Sequence, residues 1–407
     1  YLLDLELFGM RFGLDRMHKL MTVLGMPQRR YSQIHVVGSN GKSSTVRFAA
    51  GILREHGLRV GAYTSPHLRS FAERIEVDGQ PIPGADFAAA VARVAQAAEL
   101  VNRTLPDDDD RVTQFEALTA AAYYELARRG VDVAVIEAGL GGRWDATNVI
   151  PSKVQVLTSV GLEHTRWLGP TVRDIAEEKL AVVRDHATLV VAPDLPRDAM
   201  AVVERVAHER HAQLVHAEAD ANIEPLRARG AFQRRNFAVA RAAAQAFLGE
   251  RFDDEAARRA AATVEVPGRM QQVAERPLTI YDGAHNDEGA AALAESLPEV
   301  VGDRPLVAVV AILDDKDAAG MLRSLLPLSE RVVFTRASNP RSLPPGTLET
   351  LAAQLGGPPA ETVADPRAAV ERARELAGPD GAVVATGSIY LIADLVREPG
   401  VARASTL

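Results

Sequence analysis

Apolar positions along the chain fall into two patterns that alternate. Near-continuous apolar runs, IHVV at Ile34 to Val37, VDVAVIEA at Val131 to Ala138 and VQVLTSV at Val154 to Val160, read as strands buried on both faces of a parallel sheet. Between them apolar residues recur at helical spacing. Leu14, Met17, Leu20 and Met21 predict a helix within the first 30 residues, followed by a loop at Pro27. A second helix is expected over about Lys42 to Glu55, stopped by Gly57, and a third over Gln114 to Arg129. RVGAYTSPHL reads as a strand that ends in a Ser-Pro-His turn. After Pro267-Gly268-Arg269 the alternation begins again: PLTIYDGAH, a helix from about Asn286 to Leu297, LVAVVAIL, a helix from about Lys316 to Leu326, RVVFT and AVVATGS. The expected fold is α/β: a P-loop-containing, doubly wound, mostly parallel sheet in residues 1–266 and a second, smaller α/β domain in residues 267–407. Ligands of such sheets gather beyond the carboxyl ends of the strands.

Composition narrows the class. The chain has 407 residues, too many for one ordinary core, with 47% hydrophobic and 25% charged residues, so every segment can pack. No run of about 18 apolar residues occurs, and no membrane partner is expected. The opening YLLDLELFGM carries two acids and no basic flank, which argues against a secretory signal. Without cysteine there is no disulfide framework, thiol nucleophile or thiolate metal site. A cytoplasmic monomer is the expectation. A net charge of -8 disfavours nucleic acid, whose phosphates need a basic face. The acidic run Asp107 to Asp110 reads as a solvated connection.

Candidate chemistry sits after the strands. Gly38-Ser39-Asn40-Gly41-Lys42-Ser43-Ser44 turns from a strand into a helix, and its glycines let backbone N–H groups close on an anion. It is shorter than the common Walker loop, which wants a glycine at position 36, where Val36 stands. Glu137 ends a buried strand, where an unpaired carboxylate is costly; it is either a cation ligand or the partner of Arg143. Ser65 and His164 also follow strands. If the sheet brings these loops together they offer hydroxyl, carboxylate and imidazole to a magnesium ion whose shell substrate phosphate and water complete. On its own His164 reads more often as a surface or hydrogen-bonded loop histidine. Lys179, after two acids in IAEEKLAVV, reads as a solvated helix lysine, and Arg269 as a linker anchor. Asp282, His285 and Asn286 occupy one strand-to-helix turn, as ligand residues or as ordinary caps. Asp314, Asp315 and Lys316 form a weaker cluster.

Taken together these motifs resemble the folylpolyglutamate synthase and dihydrofolate synthase family, within the wider Mur ligase group. The family's G-T-N-G-K-G-[ST] loop is present as Gly38 to Ser44. TSPHL, ERIEVDGQPI, EAGLGGRWDATNVI, GLEHT, IAEEK, the stretch Gln233 to Asn236, PGR, DGAHN and TGSIY follow in the family's order. The resemblance implies an amide ligase that uses ATP to phosphorylate a carboxylate, the acyl phosphate then being attacked by the amine of L-glutamate. It implies ATP contacts from Ser39, Asn40, Gly41, Lys42, Ser43, Asn236, Arg269 and Asp282. Magnesium is implied at Ser65, Glu137 and His164, a carbamylated lysine at Lys179, and catalytic roles for Lys42, Lys179 and His164. The dihydropteroate or folate substrate is implied near Gly13, Thr113 and Asp145, and the form RWDATN is similar to members that perform both syntheses. Closure about Pro267 to Arg269 is a further expectation. Two positions depart from the family pattern: Ser43 replaces the usual loop glycine, and Asp287 stands where HNP is common. The competing readings are another Mur-type ligase, a P-loop phosphotransferase that releases a phosphorylated product, and a silent nucleotide-binding protein.

Overall fold

The computed structural model describes residues 1–6, 13–106, 109–218 and 225–398. Two compact units form. The first comprises Tyr1–Pro225 and Arg235–Val264, the second Leu226–Arg234 and the chain from Glu265 onward.

In the first unit eight strands make one sheet. They are β1 (Ser32–Val37), β2 (Val60–Tyr63), β3 (Ile75–Val77), β4 (Gln80–Pro81), β5 (Val133–Glu137), β6 (Val154–Leu157), β7 (Thr188–Val191) and β8 (Gln213–His216), in the spatial order β4-β3-β2-β5-β1-β6-β7-β8. The apolar runs read from the sequence become its three central strands, with β1 paired in parallel to β5 and β6. Only the edge hairpin is antiparallel, where β3 pairs with β2 and β4. Side chains that alternate across the strands supply two cores. Tyr63, Ala134 and Ile136 join Met17, Leu20, Leu118 and Tyr123, whereas Val37, Leu157 and Leu189 join Ile175, Leu180 and Val203. The helix Gln114–Arg129 has the bounds its periodicity predicts, because both ends are specified locally. Thr113 and Glu116 form a capping box at its start, and Gly130 adopts the left-handed conformation after its last turn.

The connection after β1 runs to one side of the sheet, to β2, and the connection after β6 runs to the other, to β7. The carboxyl ends of β1 and β6 therefore flank the switch point, where parallel sheets open a crevice. On the N-terminal flank of the acidic run, Asp107 and Asp108 lie outside the described residues, as do Leu7 to Met10. Asp110 is not a solvated charge: its side chain is 10% exposed and lies 4.0 Å from Arg16 Nη1.

The second unit holds β9 (Gln271–Glu275), β10 (Leu278–Tyr281), β11 (Leu306–Val310), β12 (Arg331–Phe334), β13 (Ala360–Thr362) and β14 (Ala382–Thr386), ordered β13-β12-β11-β14-β10-β9. All pairings are parallel except β9 with β10. Residues 226–234, expected in the N-terminal domain, group with this unit. Ala231 N–H donates to Ser296 Oγ at 3.0 Å, and a Cβ on Gly230 would stand 2.6 Å from Met270 Sδ. Among the described residues no helix is long and apolar enough to cross a membrane.

His35, in the middle of β1, is fully buried, with Nε2 2.8 Å from Thr147 Oγ1 and no partner for Nδ1 among the described residues. Burial, helped by the charge of Arg184, pushes its pKa down to about 3. The ring stays neutral in the folded chain, while the unfolded chain takes up a proton near the ordinary histidine value of about 6.5. Folding stability is therefore expected to fall as pH drops from about 6.5 toward 3, by at most about 1.4 kcal/mol per pH unit for this proton. Urea midpoints at pH 7, 6 and 5 check this, and H35Q should flatten that part of the slope.

Candidate active site

Glycine at two positions makes the turn after β1 possible. A Cβ on Gly38 would stand 2.0 Å from Thr158 Oγ1, and one on Gly41, whose φ is +84°, would stand 2.3 Å from Asn236 Oδ1. The loop is laced to the strand end of β6. Ser39 N–H donates to Ser159 O at 3.0 Å, Asn40 N–H to Ser159 Oγ at 2.8 Å, and Gly161 N–H to Ser39 Oγ at 3.0 Å. The helix Lys42–Glu55 then starts at Gly41 without a side-chain cap, which leaves its positive end for an anion. Lys42 Nζ folds back onto Gly38 O at 2.8 Å and Ser39 O at 3.1 Å. Asn236 reaches the loop because its neighbour Phe237 packs edge-on against Phe48 of that helix, with ring centroids 5.3 Å apart.

Glu137 ends β5 one strand away and is 2% exposed. Ser43 Oγ donates to its Oε1 at 2.9 Å, and Ser65 N–H to its Oε2 at 3.1 Å. Three strand ends thus meet at one carboxylate. Arg143, the alternative partner, is engaged elsewhere, with Nε 2.8 Å from Glu178 Oε1. Ser43 is accounted for by this geometry, since its hydroxyl ties the start of the loop helix to Glu137. Among the described residues no group of three or more His, Asp and Glu side chains forms a ready-made metal cage. One carboxylate with serine oxygens suits magnesium, which keeps waters and takes phosphate oxygens, so the donor set fits that ion. Arg74 is a residue the sequence reading passed over. It is 1% exposed, donates through Nε to His67 Nδ1 at 2.9 Å, and its positive charge acts on Glu137.

The lysine expected to be solvated is buried. Lys179, on the helix Val172–Leu180, is 1% exposed, and its Nζ donates to Glu163 Oε1 at 2.7 Å. Burial, with the nearby charge of Lys42, lowers the Lys179 pKa despite that partner. For Glu163 burial acts upward, but Lys179, Lys42 and His164 together hold the carboxyl down at about 2. His164 is exposed and starts a short helix over Thr165–Leu168 from a left-handed backbone. The sequence reading assigned His164 in GLEHT and missed Glu163 beside it.

Gly13, Thr113 and Asp145 line one cavity of about 260 Å³, together with Phe115, Trp144 and Trp167. Its wall is built by the loop that leaves Glu137, through Leu140 to Gly142. Asp145 accepts from Leu140 N–H at 2.8 Å, from Thr147 N–H at 3.0 Å and from the Thr147 hydroxyl. Burial raises its pKa although these bonds oppose the shift. Two half-exposed tryptophans and a buried carboxyl suit a flat heterocycle that carries N–H donors.

In the second unit, Asp282 is 2% exposed and accepts from Met270 N–H and Ala284 N–H, each at 2.8 Å. Burial raises its pKa against the pull of Arg269. A Cβ on Gly283 would stand 2.3 Å from Arg269 Nη1, so Arg269 lies over the same turn. His285 Nδ1 is 2.9 Å from Gly283 O, and Asn286 caps the helix Asp287–Val301 through Gly289 N–H at 2.7 Å. Asp287 is the first helical residue, a position that favours proline for its fixed φ and an acid for its charge, so its departure from HNP costs the fold little. Asp317 caps the helix Ala318–Leu325 through Gly320 N–H, and Lys316 pairs with Asp315 at 3.0 Å.

The Mur ligase, glutamate ligase domain family matches residues 268–389. The chain is 36% identical to a probable bifunctional folylpolyglutamate synthase/dihydropteroate synthase of Haloferax volcanii over 97% of its own length, but spans only 49% of that protein. It is 33% identical to the dihydrofolate synthase/folylpolyglutamate synthase of Bacillus subtilis, over 95% of each chain. Among solved structures, the Mycobacterium tuberculosis folylpolyglutamate synthase complexed with ADP superposes with a TM-score of 0.88 at 32% identity, covering 95% of this chain and 94% of that one. E. coli FolC in complex with DHPP and ADP gives 0.85 at 30% identity, covering 97% and 95%.

Removing one member of the Glu163–Lys179 pair leaves a buried charge alone. With the Lys179 amine unmodified, in buffer free of bicarbonate and magnesium, E163Q is expected to destabilise the first unit by about 3 kcal/mol, and the double variant E163L/K179M to recover most of that loss. Urea unfolding followed by tryptophan fluorescence measures both; equal losses in the single and double variants would show that the pair contributes nothing specific.

Proposed function

The chain belongs to the dihydrofolate synthase/folylpolyglutamate synthase family of ATP-dependent ligases, and from that premise we propose that it joins L-glutamate to dihydropteroate, to folate (poly)glutamates, or to both. A carboxylate oxygen of the pterin-bearing substrate attacks the γ-phosphorus of ATP, and ADP leaves. The amine of glutamate then attacks the acyl carbon of the acyl phosphate; the amide forms as inorganic phosphate departs, and the amine proton goes to solvent. The observation that carries this reading is the continuity of the machinery within one unit. The uncapped helix at Gly41 touches Glu137 through Ser43, and the loop leaving Glu137 walls the cavity that holds Gly13, Thr113 and Asp145.

In this reading Ser39, Asn40, Gly41 and Ser43 present the loop to the phosphates, and Lys42 exchanges its two carbonyls for the transferred charge. Asn236 contacts ATP from beside Gly41, and Arg269 and Asp282 are assigned to ATP as well. Ser65, Glu137 and His164 hold magnesium, which neutralises phosphate charge when bound. Gly13, Thr113 and Asp145 bind the pterin part, with the aromatic walls of the cavity excluding water. Lys179 carries a carbamate: its neutral amine adds to carbon dioxide and releases a proton, and lowering of the amine's pKa by burial favours that form. Because Glu163 faces the same nitrogen, a carbamate there would place two anions together, a charge that a bound divalent cation would offset. The protein works in the cytoplasm as a monomer on small molecules.

Purified protein with ATP, magnesium and glutamate, given dihydropteroate in one reaction and tetrahydrofolate in another, is expected to release ADP and yield a product heavier by one glutamyl residue. Amide with both substrates establishes two activities and amide with one assigns a single activity; a released phosphorylated product without amide sinks the ligase reading. K42A should lower kcat by roughly 10² to 10³ with unchanged circular dichroism, as loss of one transition-state donor does. With 13C-bicarbonate, a carbamate resonance absent from K179R and strengthened by magnesium is expected; its absence from the unmodified chain removes the carbamate from the mechanism.

A further inference from the structure

The carboxyl ends of the first sheet carry the machinery just described; the amino ends carry something else. Beneath the starts of β6 and β7 lies a cavity of about 770 Å³, within the usual range for small-molecule sites and larger than the pterin-side cavity. Its lining includes His18, Arg29, Lys153, Arg184 and His186, against a single acid, Asp185. That acid is already engaged, 3.2 Å from Arg210 Nη1.

This composition runs against that of the chain as a whole, in which 54 acids outnumber 46 bases. Surface bases ordinarily sit among acids that offset them, whereas neither Arg29 nor Lys153 has an ion-pair partner among the described residues. Arg184 is held half-buried in the wall. Its Nη2 donates to Asn148 O at 2.8 Å and to Asn148 Oδ1 at 2.7 Å, while its Nε is buried with no hydrogen-bond partner among the described residues. A guanidinium fixed in this way keeps one edge committed to the protein and adds charge to the cavity without contributing a closed pair. Like charges gathered around one concavity repel each other, and a bound anion relieves that repulsion. Leu14 and Phe247 supply an apolar stretch of wall, so the space is not a purely hydrated cleft.

We propose that this cavity is a second, separate binding site, for a small molecule bearing two or more anionic groups, with Arg29, Lys153 and Arg184 as its charge partners. Phosphates and carboxylates share the chemistry such a wall recognises, and both are tested. The site is independent of the ligase reaction and does not use its residues.

The test is isothermal titration of the whole chain in 20 to 50 mM salt (about the range in which exposed charges act over more than 10 Å). Saturating non-hydrolysable ATP analogue keeps the phosphate loop filled. Inorganic tripolyphosphate is the titrant in one arm and tri-γ-L-glutamate in the other. One equivalent is expected to bind, weakened at least tenfold by R29E/K153E, two exposed positions whose substitution leaves circular dichroism and affinity for the ATP analogue unchanged. Binding in the tripolyphosphate arm alone assigns a phosphate ligand, in the glutamate arm alone a polycarboxylate, and in both a general polyanion site; each supports the proposal. Absence of binding in both arms at millimolar titrant, or equal affinity in the unmodified chain and the double variant, overturns it.

Discussion

A carboxylate almost out of reach of water, at the end of a central strand, has to be compensated by whatever lies beside it. Glu137 is such a group, and its compensation dictates the geometry around it. The Ser43 hydroxyl brings the first turn of the loop helix to one oxygen, and the Ser65 amide brings the turn after β2 to the other. The positive charge of Arg74 acts on the same group from within the core. Parallel pairing of β1 with β5 and of β2 with β5 delivers these loops to the same end of the sheet. The desolvation cost of one charge is offset only when three segments far apart in sequence are in register, so folding and site assembly are one event here.

A second buried charge repeats the logic on the other side of the phosphate loop. Lys179 and Glu163 neutralise each other, one from a helix and the other from the loop after β6. That loop also receives Ser39 through Gly161 N–H, so any change in the pair bears on the loop that cradles phosphate. Buried pairs contribute little net stability compared with apolar residues of the same size.

The parts of this arrangement that were legible in the sequence are the locally encoded ones. Glycine and lysine spacing announced the phosphate loop, apolar runs announced β1, β5 and β6, and the Thr113 to Gly130 signals set both ends of a helix. Glu163 was not legible, because an acid in an exposed-looking loop gains meaning only when Lys179 is known to be buried. Lys179 itself follows two acids, which masks its inward face. The short strands β3 and β7 and the edge strands β4 and β8 carry too few residues for a period to register. The expected boundary at 267 followed the Pro-Gly punctuation, and no local signal revealed that residues 226–234 pack with the second unit, since their partners Met270 and Ser296 lie about 40 to 65 positions downstream.

That last feature bears on how the protein can be taken apart. The second unit is assembled from two stretches of chain separated by the 30 residues of Arg235–Val264. A gene cut at the obvious linker would yield a C-terminal fragment lacking Gly230 and Ala231, with Ser296 deprived of its amide partner and the Sδ side of Met270 uncovered. Such a fragment is a poor autonomous module and a poor fusion partner. A rearrangement that kept every contact of this unit would have to carry the intervening residues Arg235–Val264 with it.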